Sequence, residues 1–424
     1  MNQHADISTP EAQAPARALP SRVVVINDHS TSNGGTAALA LLSIRQLRAR
    51  GIPVTLICGD AGKNPELKAL GVEVCALGSA DLLSLPGRTA ALRGIHYKAA
   101  LALVRTVIAK HDSPTTIYHV HGWAQILSPA IFRALTPVAP RTYLHAHDTF
   151  LACPNGMYMD YQRGEVCTRR PLSVSCITTH CDKRSYGQKL WRVARHSALF
   201  ANLDRRAPWA GLITIHPDVG EKFIRAGYPS GLIRVLRNPA KPYSTVRIPA
   251  EENTTLVYVG RLERDKGVMD LAEAAARTAT KLRLIGDGAL RGEIAERFAQ
   301  VELAGWQSPE QISALVQDAR ALVMPSHHPE PFALVLPEAI QSGLPVLVSG
   351  TALMAAEIEA RGLGLRFNVQ DTANFDATIA HLNALPHTEM AAMSVRGFTC
   401  GASLSMTQDS WAEGLLALYE AALH

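Results

Sequence analysis

A chain of 424 residues is too long for one ordinary core and points to about two to three domains. With 47% apolar and 19% charged residues it reads as globular. A net charge of +5 is too slight to argue for nucleic acid, although clustered charge could still favour an anionic membrane surface, and no uninterrupted apolar run reaches the ~18 residues of a membrane span.

Residues 1–20 are rich in Ala, Pro and polar residues without an apolar h-region, so a disordered tail and no signal peptide are expected, with the chain in the cytoplasm. Residues 22–27 form a β-branched apolar run. Asn33-Gly34-Gly35-Thr36 then opens a helix that runs to residue 51, and residues 54–58 read as the next strand of a βαβ unit. Gly34 and Gly35 let the backbone approach a ligand, and the helix after them points its first N–H groups at any anion there. Further strands are expected at 116–120, 141–146 and 212–215. His119 and His121 share one face of the first, and His145 and His147 one face of the second. Each pair suits a metal or a packed, hydrogen-bonded pair of rings.

Seven cysteines without a secretion signal argue against a disulfide framework. Cys153, Cys167, Cys176 and Cys181 fall close together but lack C-x-x-C spacing, so a structural zinc and free buried thiols both stay open. Residues 183–209 mix Lys189, Arg192 and Arg195 with Trp191, Phe200 and Trp209. That pattern suits an ordinary surface helix or an amphipathic helix on an anionic membrane, and a second basic stretch at 88–110 tilts the reading toward the membrane.

After a Pro-containing linker ending near residue 249, a second series of strands and helices begins. A strand at 255–259 leads into Gly260-Arg261-Leu262-Glu263-Arg264-Asp265-Lys266-Gly267, where Arg261 and Lys266 supply fixed cations suited to a diphosphate leaving group. A helix from 268, a strand at 282–285, a helix from 290, a strand at 301–303 and a helix near 309–318 follow. Gly286-Asp287-Gly288 and Gly292 miss the dinucleotide fingerprint by one residue. Next come a strand at 321–324, a loop carrying Glu330, a helix carrying Glu338 and a strand at 346–348. Pro337 fits a first helical position, so the helix is expected to start there, with 332–336 as loop. The loop and helix start then lie at the carboxyl edge of a parallel sheet, where two carboxylates can each accept the paired hydroxyls of a sugar or a ribose. Two successive arrays imply an α/β protein with two facing Rossmann-like domains and a cleft between them.

The run from Pro325 to Ile340, with seven residues between Glu330 and Glu338, resembles the Glu-x7-Glu signature of retaining glycosyltransferases of family 4, which have the GT-B fold. The resemblance implies domains at 21–240 and 241–400 and a terminal helix, 401–424, that crosses back to the first. It implies that Glu330 binds the donor sugar, that Glu338 binds the ribose, and that Arg261 and Lys266 hold the diphosphate. Gly34, Gly35, Gly286, Phe332, Ala333 and Leu334 would line the donor, His121 would be the cleft histidine, and His147 and Asp148 would face the acceptor. Pro331 and Ala333 replace the family's usual glycines and could narrow the sugar space. The implied activity is transfer of a sugar from a nucleotide diphosphate sugar to a hydroxyl of a saccharide or lipid-linked acceptor, in polysaccharide or glycoconjugate synthesis. No cofactor or catalytic metal is required, and the place of work is the cytoplasm or the cytoplasmic face of the inner membrane. A nucleotide-sugar epimerase of the same fold is the alternative, followed by a nicotinamide-dependent oxidoreductase.

Overall fold

The structure is a computed structural model that describes residues 18–424. The expected tail lies, for residues 1–17, outside the described residues. The first domain holds β1 (Arg22–Asn27), β2 (Val54–Cys58), β3 (Glu73–Ala76), β4 (Thr116–Val120) and β5 (Thr142–Ala146). After a small antiparallel hairpin, β6 (Met159–Asp160) and β7 (Glu165–Val166), come β8 (Gly211–Thr214) and β9 (Ile233–Val235). Seven of these form one parallel sheet in the order β3-β2-β1-β4-β5-β8-β9.

The second domain holds β10 (Thr255–Val259), β11 (Leu282–Ile285), β12 (Glu302–Gly305), β13 (Ala319–Met324), β14 (Val346–Ser349) and β15 (Gly364–Phe367), a six-stranded parallel sheet in the order β12-β11-β10-β13-β14-β15. Both sheets therefore reverse direction once, between β1 and β4 and between β10 and β13, and leave a crevice at each reversal.

Strands covered by helices on both faces are buried on both faces, which is why the central ones read as unbroken apolar runs. All six residues of β13 are buried, as are Val23 to Ile26 in β1. Besides the two-residue strands of the hairpin, sequence reasoning missed β3, β9 and β15, which are three or four residues long, carry charged or glycine residues and leave part of their length uncovered.

The first helix is Gly35–Ala49, two residues shorter than expected. The helix bearing Glu338 is Val335–Gln341, so it starts two residues before Pro337. Proline is tolerated there because the first-turn N–H groups of a helix have no intrahelical acceptor.

The last helix, Gln408–Ala421, lies on the first domain. Its Trp411, Leu415, Leu416 and Tyr419 join Val23, Ile44 and Leu56 in one core. The chain on its way there pairs with the linker, since Ala240 N–H donates to the Met406 carbonyl at 3.1 Å and Met406 N–H to the Asn238 carbonyl at 3.2 Å. Trp411 is fully buried, so Trp411→Ala is expected to cost about 3–5 kcal/mol. A first urea transition left unchanged would show that this helix is not held by its core face.

Candidate functional site

Glu330 and Lys266 come from loops that follow two neighbouring strands. Gly267 ends the β10 loop with φ +68°, and a side chain there would place its Cβ 1.9 Å from the Pro325 carbonyl oxygen, so the two loops touch backbone to backbone. This contact brings the Lys266 ammonium onto Glu330 Oε1. Ser326 Oγ donates to the same oxygen at 3.2 Å, and His328 Nε2 lies 3.1 Å from it. Burial alone would raise the pKa of Glu330. The His328 hydrogen bond and the Lys266 charge outweigh burial and hold the carboxyl well below the usual carboxylate range. His328 and Ser326 were not assigned from sequence, although their spacing two and four residues before Glu330 was in plain view.

Glu338, eight residues further on in helix Val335–Gln341, is in the opposite state. Among the described residues none gives its carboxyl a hydrogen bond of good geometry, and burial pushes its pKa up to about 7, opposed only by the Tyr243 hydroxyl beside it. A carboxyl with so few protein donors suits a ligand that brings its own. Arg261 lies on the same loop as Lys266 but turns outward to Glu263, 2.6 Å away. Phe332 is buried, while Ala333 and Leu334 pack partly against the second core. Gly286 packs the β11 end against the β10 end, since a Cβ there would meet the Gly260 carbonyl oxygen at 1.9 Å.

In the first domain a cavity of about 1030 Å³ opens at the β1/β4 reversal, with Asn33, His121, Trp123, Asp148, Arg184 and Arg195 among its walls. Gly34, at φ +90°, opens the helix along its edge, followed by Gly35. Its walls come from the first domain, and Glu330 and Lys266 do not reach it. The two places are joined at Lys183, whose Nζ lies 3.6 Å from Asp265 beside Lys266, while the next residue, Arg184, lines the cavity. Tyr161, also unassigned from sequence, stands close enough to Asp265 and Glu330 to feel both charges.

His121 and His145 face each other across β4 and β5, flanked by His119 and His147. His121 Nδ1 and His147 Nε2 are 2.9 Å apart, His119 Nε2 and His145 Nδ1 are 3.1 Å apart, and His119 Nδ1 meets the Tyr419 hydroxyl at 2.6 Å. Burial pushes all four imidazoles down, His119 and His147 to about 3, so the rings are neutral. His119, His121 and His145 each bring one nitrogen within 4.8 Å of the others, a spacing that suits a cation as well as a hydrogen-bonded stack. His121 Nε2 has no hydrogen-bond partner among the described residues. Asp148 accepts from Phe150 N–H at 2.8 Å, and burial pushes its carboxyl up to about 6.

The cations expected to meet a membrane are engaged inside the protein: Lys189 is fully buried, Arg192 lies 2.7 Å from Asp182, and Arg195 donates to the Gly94 and Ala124 carbonyls. Trp191 donates to the Ala91 carbonyl, and Trp209 is buried with its N–H on the Asp204 carbonyl. The amphipathic face of helix Tyr186–Asn202 thus packs against its own domain. No helix of the described residues is long and apolar enough to cross a membrane.

Residues 245–393 match the family described as "Glycosyl transferases group 1". The chain is 33% identical over 131 residues to a lipopolysaccharide 1,2-N-acetylglucosaminetransferase of Salmonella typhimurium, a match that takes in 27% of this chain and 34% of that protein. It is 29% identical over 161 residues to a glycogen synthase of Mycobacterium tuberculosis, covering 35% of this chain and 39% of the relative. The chain thus spans between a third and two fifths of the length of these curated relatives. Whole-chain likeness appears among solved structures. HepE of Anabaena, solved in complex with UDP and glucose, superposes with a TM-score of 0.63 at 16% identity over 93% of this chain and 97% of that one. The sucrose-phosphate synthase of Thermosynechococcus elongatus gives 0.67 at 17% identity over 94% and 98%. The fold is that of the GT-B proteins.

The state of Glu338 has a consequence for stability. An unfolded glutamate ionises near pH 4.3, whereas the folded carboxyl holds its proton to about pH 7. The folded state therefore binds the extra proton, and stability falls as pH rises across that window and stays lower above it. Glu338→Gln removes this cost. The variant is expected to melt several degrees above the parent at pH 8 and close to it at pH 5. A difference of the same size at both pH values would show that the carboxyl is not held protonated.

Proposed function

We propose that the protein is a retaining glycosyltransferase that moves a sugar from a nucleotide diphosphate sugar to a hydroxyl of a saccharide or lipid-linked acceptor. The observation that carries this reading is the pair of carboxylates after one strand, Glu330 ionised and held by Lys266, Glu338 half-buried with the Tyr243 hydroxyl beside it. The family match over residues 245–393 covers this same half. UDP in the structurally similar HepE makes a uridine diphosphate sugar the first donor to try.

In this reading the diphosphate lies over the β10 loop. Charge grows on it as the glycosidic bond breaks, and Lys266 and Arg261, on the same loop, stabilise that charge. Glu330 accepts hydrogen bonds from the sugar hydroxyls, and Glu338, once ionised, accepts those of the ribose. The acceptor enters from the first-domain cavity, where His121 Nε2 has no hydrogen-bond partner among the described residues and Asp148 offers a carboxylate. The leaving phosphate takes the proton of the attacking hydroxyl on the same face of the sugar, which retains the anomeric configuration. The cavity rim supports an acceptor with an apolar part, since Leu83 is 80% exposed and lines it beside Leu82 and Leu85. Incubation with nucleotide sugars separates this reading from epimerisation, which would return an epimer without transfer, and from nicotinamide-dependent oxidation, which would need that cofactor. Proton NMR of the product reports the anomeric outcome, and an inverted linkage would overturn retention.

Glu330→Gln is expected to lower turnover more than Glu338→Gln, because the first touches the reacting sugar. A hydrogen bond to a charged group is worth about 1.5–3 kcal/mol, so losses of tenfold or more should appear for Glu330. Near-parent rates for both variants would remove the assignment. Lys266→Ala and Arg261→Ala should weaken nucleoside diphosphate binding in calorimetry, while activity persists in EDTA. Activity abolished by EDTA and restored by magnesium would transfer the role of the two cations to a metal.

A further inference from the structure

Cys153, Cys167, Cys176 and Cys181 are buried free thiols. Zinc bound by four thiolates needs sulfurs about 3.8 Å apart, given its bond lengths. Among the described residues, three histidines bring their ligand atoms within 4.8 Å of one another, and no three of these cysteines do. As folded, the four sulfurs do not make a zinc site. What stands against two of them is an amine. Lys189, on helix Tyr186–Asn202, has its side chain fully buried, and its Nζ donates to Cys181 Sγ at 3.2 Å and to Cys176 Sγ at 3.6 Å. No carboxylate of the described residues pairs with Lys189, and Asn155 Nδ2 makes a further contact to Cys181 Sγ at 3.5 Å.

Burying an ammonium against weak sulfur acceptors is a poor way to gain stability, since an apolar side chain would avoid the desolvation cost and a carboxylate would compensate it. The same placement is well suited to a reaction. An amine is a nucleophile whenever it gives up its proton, and a neighbouring thiolate can share that proton. A sulfur that has been oxidised to the sulfenic acid is an electrophile that condenses with nitrogen.

We propose that Lys189 and Cys181 form a reversible, oxidation-driven covalent link. Hydrogen peroxide first oxidises the thiol by two electrons: Cys181–SH and H2O2 give Cys181–SOH and H2O. Lys189 Nζ then attacks the sulfur, the S–O bond breaks, the hydroxyl leaves with one ammonium proton as water and a second proton is released, so that Lys189–NH3+ and Cys181–SOH give Lys189–NH–S–Cys181, H2O and H+. Two equivalents of a thiol reverse it, returning the amine and the cysteine and forming one disulfide of the reductant. Gln188, Trp191, Arg192 and Arg195 of the same helix line the first-domain cavity, so the link would pin one cavity wall to the segment that carries Cys181.

The test uses the full chain, reduced and then treated with stepwise peroxide. The expected result is a loss of about 2 Da from the intact mass, reversed by dithiothreitol, with peptide mapping that joins Lys189 to Cys181. The joined peptides should persist in Cys176→Ser and vanish in Cys181→Ser. A Cys176–Cys181 disulfide with Lys189 free would overturn the proposal, as would Cys181 sulfinate with Lys189 free. One zinc per purified chain, lost in the cysteine variants, would also overturn it. The mass readout does not depend on the proposed glycosyl transfer, so the two readings fail separately.

Discussion

The geometry of the second domain turns on the ion pair between Lys266 and Glu330. Removing both charges from water costs several kcal/mol per ion, and their attraction repays this only when other groups complete the hydrogen bonding. His328 and Ser326 do so on the same carboxylate oxygen. The pair also needs two strand-end loops in contact, which the parallel order places side by side and the glycine at 267 lets touch. A substitution that separates these loops would leave a buried carboxylate unpaired, a far larger penalty than the net worth of the pair.

The same topology recurs in the first domain. Both sheets reverse their strand order at the strand that begins the domain, and in both the functional candidates gather at that reversal. There the first domain offers a helix N-terminus, neutral imidazoles and a roomy cavity, while the second offers paired charges. In the proposed reading this asymmetry fits a division of labour between an acceptor of mixed polarity and a charged donor.

Much of this was legible in the sequence because central parallel strands announce themselves as buried apolar runs and because Arg261, Lys266, Glu330 and Glu338 follow such runs at short distance. The edge strands β3, β9 and β15 were not legible, since half-covered strands of three or four residues lack the pattern. Helix Tyr186–Asn202 misled in another way. Periodicity shows that cationic and apolar residues share a helix, but not what the cationic face meets, and here Lys189 meets sulfur while Arg195 meets carbonyl groups and the Trp123 and Trp191 rings. Nor does spacing tell a charge held by partners from one left without them.

That last distinction separates Glu330 from Glu338. Glu330 enters any binding event already ionised and already satisfied, so a sugar hydroxyl must share or displace Lys266, and the ammonium so released is freed for a neighbouring anion. Glu338 enters protonated near neutral pH, and a ligand gains by supplying the hydrogen bonds that make its ionised form tolerable. A ligand that carries both a diol and a diphosphate answers both needs at once. A diol alone would leave the freed Lys266 charge uncompensated, and a diphosphate alone would leave Glu338 without donors. In the proposed reading the two carboxylates together favour a ligand that joins the two groups, Glu330 through the cation that its binding frees and Glu338 through its lack of donors.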